Sequence, residues 1–209
     1  MFPSVDELIT AFDKGLRTVF GSAQSARETP GEDLPESNLT EAERTLAASL
    51  MRVNHTGEIC AQGLYEGQAL TARDAGTRGA LLAAAQEETD HLAWCEDRLT
   101  ELDARPSVLN PFFYAASYTM GAITGLLGDR VSLGFVEATE DQVCRHLESH
   151  LDALPEEDQR SRAIVEQMHA DEARHGADAL AKGGAEFPGP VKEAMSLLSR
   201  VMTETTYRV

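Results

Sequence analysis

Two short spacings repeat in this chain: Glu88 stands three residues before His91, and Glu172 stands three before His175. Residues three apart share a helix face, so each pair can offer an oxygen and a nitrogen to one ion without bending the backbone. Each pair follows a helical pattern with a glutamate of its own, Glu58 thirty residues before Glu88 and Glu140 thirty-two before Glu172. Four helices then supply four carboxylates and two imidazoles. That is the inventory of a di-iron bundle, in which two helices give one Glu each and the other two give a Glu-x-x-His. Carboxylates are hard, anionic and able to bridge, and one nitrogen per ion favours iron or manganese over zinc or copper. Two ions roughly 3.5–4 Å apart would be bridged by Glu88 and Glu172. Glu58 and His91 would complete one site, and Glu140 and His175 the other. Glu137 lies one turn from Glu140 on nearly the same face; spacing alone admits either, and the hairpin symmetry favours Glu140.

Metal-bound histidines commonly donate their second N–H to a carboxylate. Asp171 is the partner expected for His91, across the bundle, and Glu87 the partner for His175, while Asp90 reads as a solvated helix charge. His55, three residues before Glu58, reads as a structural or supporting group rather than a ligand. Tyr65, two turns past Glu58, reads as a packed tyrosine with a satisfied hydroxyl, or as a hydrogen-bond donor near the metals. His146, His150 and His169 fall off the ligand face and read as surface or substrate-edge residues.

The elements that must carry these groups are helices, and the fold class is all-α: a four-helix bundle with a long crossover and extra N- and C-terminal helices. Val5, Leu8, Ile9, Phe12, Leu16, Val19 and Phe20 keep helical spacing, and core packing is the role expected for that first helix, with a membrane surface as the alternative. Residues 22–39 hold Pro, Gly and Ser with little apolar content. Thr40-x-x-Glu43 then reads as a capping box that opens a helix from about Glu41 to about Leu70. The second helix carries Glu88 and His91, the third Glu140 and the fourth Glu172 and His175, which Lys182-Gly183-Gly184 ends. A last amphipathic helix runs from Pro190 to about Tyr207. Between Pro111 and Gly128 no charged residue occurs, a length that borders on a membrane span. Its glycines, Pro111 and the following Asp129-Arg130 argue against insertion, leaving a buried crossover helix or a membrane-facing surface. We read one domain over residues 1–209: a variable helix and loop at 1–45, the bundle at 46–182 and the C-terminal helix at 190–207.

With 18 Lys+Arg against 35 Asp+Glu, a formal net charge of −17 argues against binding nucleic acid or anionic lipid by charge alone. Cys60, Cys95 and Cys144 are odd in number, form no Cys-x-x-Cys and sit in helical patterns, which fits a reducing cytoplasmic setting. The N-terminal stretch, with Asp6 and Glu7, reads as neither signal nor transit peptide.

At 51–68 (MRVNHTGEICAQGLYEGQ), 87–99 (EETDHLAWCEDRL), 125–140 (GLLGDRVSLGFVEATE) and 171–180 (DEARHGADAL) the sequence resembles the demethoxyubiquinone hydroxylases. The resemblance runs from Leu46 to the C-terminus. It implies a ferritin-like fold, with Glu58, Glu88, His91, Glu140, Glu172 and His175 as ligands of two iron ions. It implies a monooxygenase that uses dioxygen to hydroxylate the ring of a polyprenyl demethoxyubiquinol in ubiquinone biosynthesis, with electrons from the quinol or from NADH. Where mitochondrial members carry a His-Tyr pair, this chain reads His146-Leu147, so no role of that tyrosine transfers. No Gly-x-Gly-x-x-Gly follows a strand pattern, so no dinucleotide domain is expected. An insoluble substrate implies a membrane surface, or a lipid carrier or other ubiquinone-synthesis protein, as partner. The expected location is therefore peripheral, on the cytoplasmic face of the cell membrane (the inner membrane in a bacterium), and an oligomer is compatible. The rival readings are a di-iron quinol oxidase and a ferritin-like ferroxidase or iron store; against the latter stands the apolar crossover.

Overall fold

A computed structural model describes residues 4–209; Met1, Phe2 and Pro3, part of the stretch read as lacking a leader, lie outside the described residues. These form seven helices and no strand: α1 (Val5–Phe20), α2 (Glu41–Thr71), α3 (Ala75–Glu101), α4 (Asn110–Leu126), α5 (Asp129–Ala153), α6 (Gln159–Ala181) and α7 (Gly189–Thr206). The expected boundaries of α2 and α7 hold within one or two residues.

Local chemistry sets the helix starts. The Thr40 hydroxyl accepts from the Glu43 amide while the Glu43 carboxylate accepts from the Thr40 amide, which opens α2. Asp74 caps α3 and Asp158 caps α6, each accepting an amide three residues on, at 2.7 and 3.1 Å. Asp129 accepts the Arg73 and Asp74 amides at 2.9 and 2.8 Å, tying the turn of the α2–α3 hairpin to the start of α5. The α2–α3 and α5–α6 hairpins make the bundle, and α4 crosses between them.

The crossover helix lies hard against α2. A Cβ on Gly67 would run into the Tyr118 carbonyl, and one on Gly121 into the Leu64 carbonyl. Only glycine lets the two backbones approach so closely. The opposite face of α4 is open, with Phe112 68% exposed and Leu126 and Leu127 also outside. Burial and surface are thus both realised, on two faces of one helix. No helix among the described residues is long and apolar enough to cross a membrane.

Helix α1 departs from expectation. Core packing is overturned: Phe12 is 71% and Phe20 74% exposed, with Val5 and Ile9 also outward, and the helix's one buried residue is Gly15. It meets the bundle through its small and polar side, Gly15 against Tyr114 and Glu7 to Arg78 at 3.0 Å.

Two apolar clusters fill the bundle. Met51, Trp94, Leu99, Leu147 and Met168 belong to one, and Tyr65, Leu81, Leu133, Val136 and Ala179 to the other. On each of the four helices the Glu and His residues fall between them, so a polar layer is enclosed by apolar packing on both sides.

Candidate metal centre

The four bundle helices point six titratable groups into that layer. Glu58, Glu88, His91 and Glu172 are buried, and their ligand atoms all lie within 4.8 Å of one another. Nδ1 of His91 is 3.1 Å from Glu88, 3.0 Å from Glu172 and 3.6 Å from Glu58. Nδ1 of His175 is 3.2 Å from Glu88 and 3.1 Å from Glu172. Both imidazoles thus aim the same nitrogen at the same two carboxylates. Glu140, also buried, accepts the Tyr65 hydroxyl at 2.7 Å.

The opposite nitrogens face outward. His91 Nε2 meets Asp171 at 3.0 Å, and His175 Nε2 meets Glu87 at 3.3 Å. Arg174 joins these carboxylates, donating to Glu87 at 2.6 Å and to Asp171 at 2.9 Å. A proton held on each Nε2 leaves each Nδ1 lone pair directed inward, the tautomer that a metal ligand needs.

Electrostatics records the crowding of like charge. Burial drives the Glu58 and Glu140 carboxyls well above their usual range, and neighbouring carboxylates add to the effect. Burial also works against ionised Glu88, but the imidazoles of His175 and His91, 3.2 and 3.1 Å away, outweigh it and hold that carboxyl low. Burial lowers His175, yet the adjoining Glu172 and Glu88 carboxylates win and raise it to about 11; the carboxylates around His91, Asp171 and Glu172 foremost, likewise overcome its burial and raise it. Protons bound here do what cations would do better.

The residues fit a metal pair. Glu88 Oε1 and Glu172 Oε1 are buried without a hydrogen-bond partner, although His175 and His91 come within 3.2 and 3.0 Å of them, because neither contact has hydrogen-bonding geometry. A lone Nδ1 cannot serve three surrounding carboxylates, whereas a cation can. Four carboxylates also balance two divalent ions in charge.

Other expectations fare differently. Glu137 takes Lys192 at 2.9 Å, whereas Glu140 accepts Tyr65; the four-residue cluster of ligand atoms includes neither of these glutamates, nor His175. His55 is buried and meets Asn110 at 3.2 Å, also apart from that cluster. Asp90 is no solvated charge: it is buried, and it accepts the Ala26 amide and the Arg27 guanidinium, both at 2.7 Å. Nor is His150 at the surface; it is buried against His146 with ring centroids 4.0 Å apart. His169 does lie outside, near Glu148. Arg27 was invisible in the sequence, since an arginine in a polar, helix-free stretch carries no periodic signal.

Fold and site together define a ferritin-like helical bundle with a buried Glu/His cluster of the kind that can hold metal. A bacterioferritin-related protein from Bacteroides fragilis, described as a dodecameric thioferritin, shares the fold at a TM-score of 0.55 and 19% identity, over 68% of this chain and 90% of that one. The chain belongs to the family described as ubiquinone biosynthesis protein COQ7, whose model matches residues 45–206. A relative from Azotobacter vinelandii named 3-demethoxyubiquinol 3-hydroxylase is 55% identical over 209 residues, covering 100% of this chain and 97% of its own. Another of that name, from Chromobacterium violaceum, is 56% identical over 205 residues, covering 98% and 100%. A third, from Pseudomonas aeruginosa, is 54% identical over the whole of this chain.

Proposed function

We propose that this protein is a 3-demethoxyubiquinol 3-hydroxylase acting in ubiquinone biosynthesis through a pair of iron ions. Glu88 and Glu172 would serve both ions, with Glu58 and His91 at one position and Glu140 and His175 at the other. The observation that carries this reading is the convergence of both Nδ1 atoms on Glu88 and Glu172. Two ferrous ions held there would supply electrons for dioxygen reduction, with one oxygen atom going to the quinol ring and the other to water.

The protein's own groups set the conditions for that step. Asp171 and Glu87 hold the two imidazoles in one tautomer. The Tyr65 hydroxyl fixes the Glu140 carboxylate. The apolar clusters above and below keep bulk water from the layer. Beside it, a cavity of about 310 Å³ is lined by Phe20, His55, Leu92, Val108 and Pro111. His55 lies one turn before Glu58, and a second cavity of about 140 Å³ is lined by Tyr65 and His175 of the layer itself, so the ring's approach is assigned to that second cavity. The polyprenyl tail is met at a membrane surface, where the exposed apolar residues of α1 and α4 dock the enzyme peripherally, on the cytoplasmic face. Residues 46–182 serve as the metal-binding bundle, and the terminal helices as its coverings. Electrons return from the quinol or from a reduced nicotinamide.

A single-turnover experiment tests the reading. Anaerobic ferrous protein with a short-tailed demethoxyubiquinol is exposed to ¹⁸O-labelled dioxygen, and the quinone product is analysed by mass spectrometry. One labelled oxygen in the ring is the expected result. Oxidised quinone without the label would establish a quinol oxidase instead.

A further inference from the structure

Residues 21–40 form an arm without helix that precedes the stretch matched to the family. The arm is anchored at its far end, where Arg160 donates to the carbonyls of Leu34 and Glu32 at 2.7 and 3.3 Å and Glu36 pairs with buried Arg98 at 2.7 Å. At its middle it reaches the metal layer. Arg27 Nε donates to Asp90 at 2.7 Å and Nη1 donates to Asp171 Oδ2 at 2.8 Å. That same Oδ2 faces His91 Nε2 at 3.0 Å. The guanidinium lies 4.6 Å from the centre of the buried Trp94 ring, whose indole N–H donates to Ser25, and Trp94 packs 5.3 Å from His91.

We propose that Arg27 is a positioning residue of the metal centre: by bridging Asp90 and Asp171 it locks the carboxylate that orients His91, so that this arm holds one of the two metal positions. The assignment rests on His91 being a ligand, as proposed above. A planar fork suits two carboxylates at once, and stacking on Trp94 restricts it further. Asp171, gripped by Arg27 on one oxygen and Arg174 on the other, has no freedom to swing away from His91. The His175 side lacks such a clamp. Its partner Glu87 is about one-third exposed and held by Arg174, itself nearly half exposed. The two positions, equivalent by hairpin symmetry, are therefore made unequal by a segment outside the hairpins.

The test is anaerobic titration of metal-free full-length protein with cobalt(II), read by visible absorption. Wild type takes two ions per chain. Arg27→Gln keeps one at wild-type affinity and binds the other about 10- to 100-fold more weakly, the range for loss of a group that orients a ligand. Arg27→Lys keeps the charge but cannot span both carboxylates, so it too remains weakened; it carries the test if the glutamine variant fails to fold. Arg160→Gln loosens the arm's far end without touching the centre and leaves both affinities unchanged. Two tight ions in both Arg27 variants would overturn the assignment, and so would equal weakening by Arg160→Gln. A wild-type chain that takes up no cobalt would overturn the metal-centre reading itself, and this assignment with it.

Discussion

Replacing Glu172 with alanine separates a bridging carboxylate from a terminal one. Glu172 is buried and approaches Nδ1 of His91 at 3.0 Å and Nδ1 of His175 at 3.1 Å, so its loss removes an anionic ligand from both metal positions. Glu58 approaches His91 alone, at 3.6 Å, so Glu58→Ala strips one position and spares the other. Binding at a hundredfold excess over Kd stabilises a fold by about 2.7 kcal/mol per site, roughly 5 kcal/mol for two. At about 2–4 °C per kcal/mol for a chain of this size, wild type should gain on the order of 10–20 °C in Tm on adding metal. Glu58→Ala should gain about half of that, and Glu172→Ala almost none. Without metal, Glu172→Ala should melt no lower than wild type, because one of four crowded buried carboxylates has gone. Differential scanning fluorimetry with and without ferrous ion under argon, together with iron analysis of the purified proteins, reads all three. Two irons per chain in Glu172→Ala, or a metal-dependent gain equal to that of wild type, would refute the bridging role.

Tyr65→Phe deletes the donor to Glu140 and should weaken metal on the His175 side while changing metal-free stability by only about 1 kcal/mol; cobalt titration and urea unfolding separate the two. Arg98→Met strands Asp158, which is buried and loses its 2.8 Å partner, and urea unfolding should show a loss of about 3–5 kcal/mol. Burial, reinforced by His146, lowers His150 to about 3, so its neutral form is the folded one. The unfolded chain binds the extra proton below about pH 6.5, and stability should therefore fall as pH drops, by up to about 1.4 kcal/mol per unit from this group. His150→Leu should lose less between pH 7 and pH 5, and an unchanged slope would remove His150 from the account. Phe12→Glu with Phe20→Glu places charge on the open face of α1 and should abolish co-flotation with zwitterionic phosphatidylcholine vesicles while leaving helix content intact.

Much of the site was legible because its signals are local. Glu-x-x-His places two ligands on one face through helix geometry alone, and the capping box at Thr40 marked the start of α2 within the residues that make it. The outward pairing of His91 with Asp171 could be anticipated because a metal-bound imidazole needs an acceptor and the hairpin symmetry left few candidates. What local pattern could not supply was burial. Asp90 and His150 look like surface residues by type, yet both lie inside, since burial depends on what another segment lays over them. Helix α1 has a strong apolar stripe that nonetheless faces outward, while the close packing of α2 and α4 is decided by Gly67 and Gly121, about a quarter of the chain apart. The amino-acid sequence by itself determined the helices and which Glu and His residues share a face, because 3.6-residue periodicity is written into neighbouring residues. Only the tertiary structure decided that Arg27 would stand beside His91, because its partners Asp90 and Asp171 lie 63 and 144 residues away and nothing local to Arg27 encodes them.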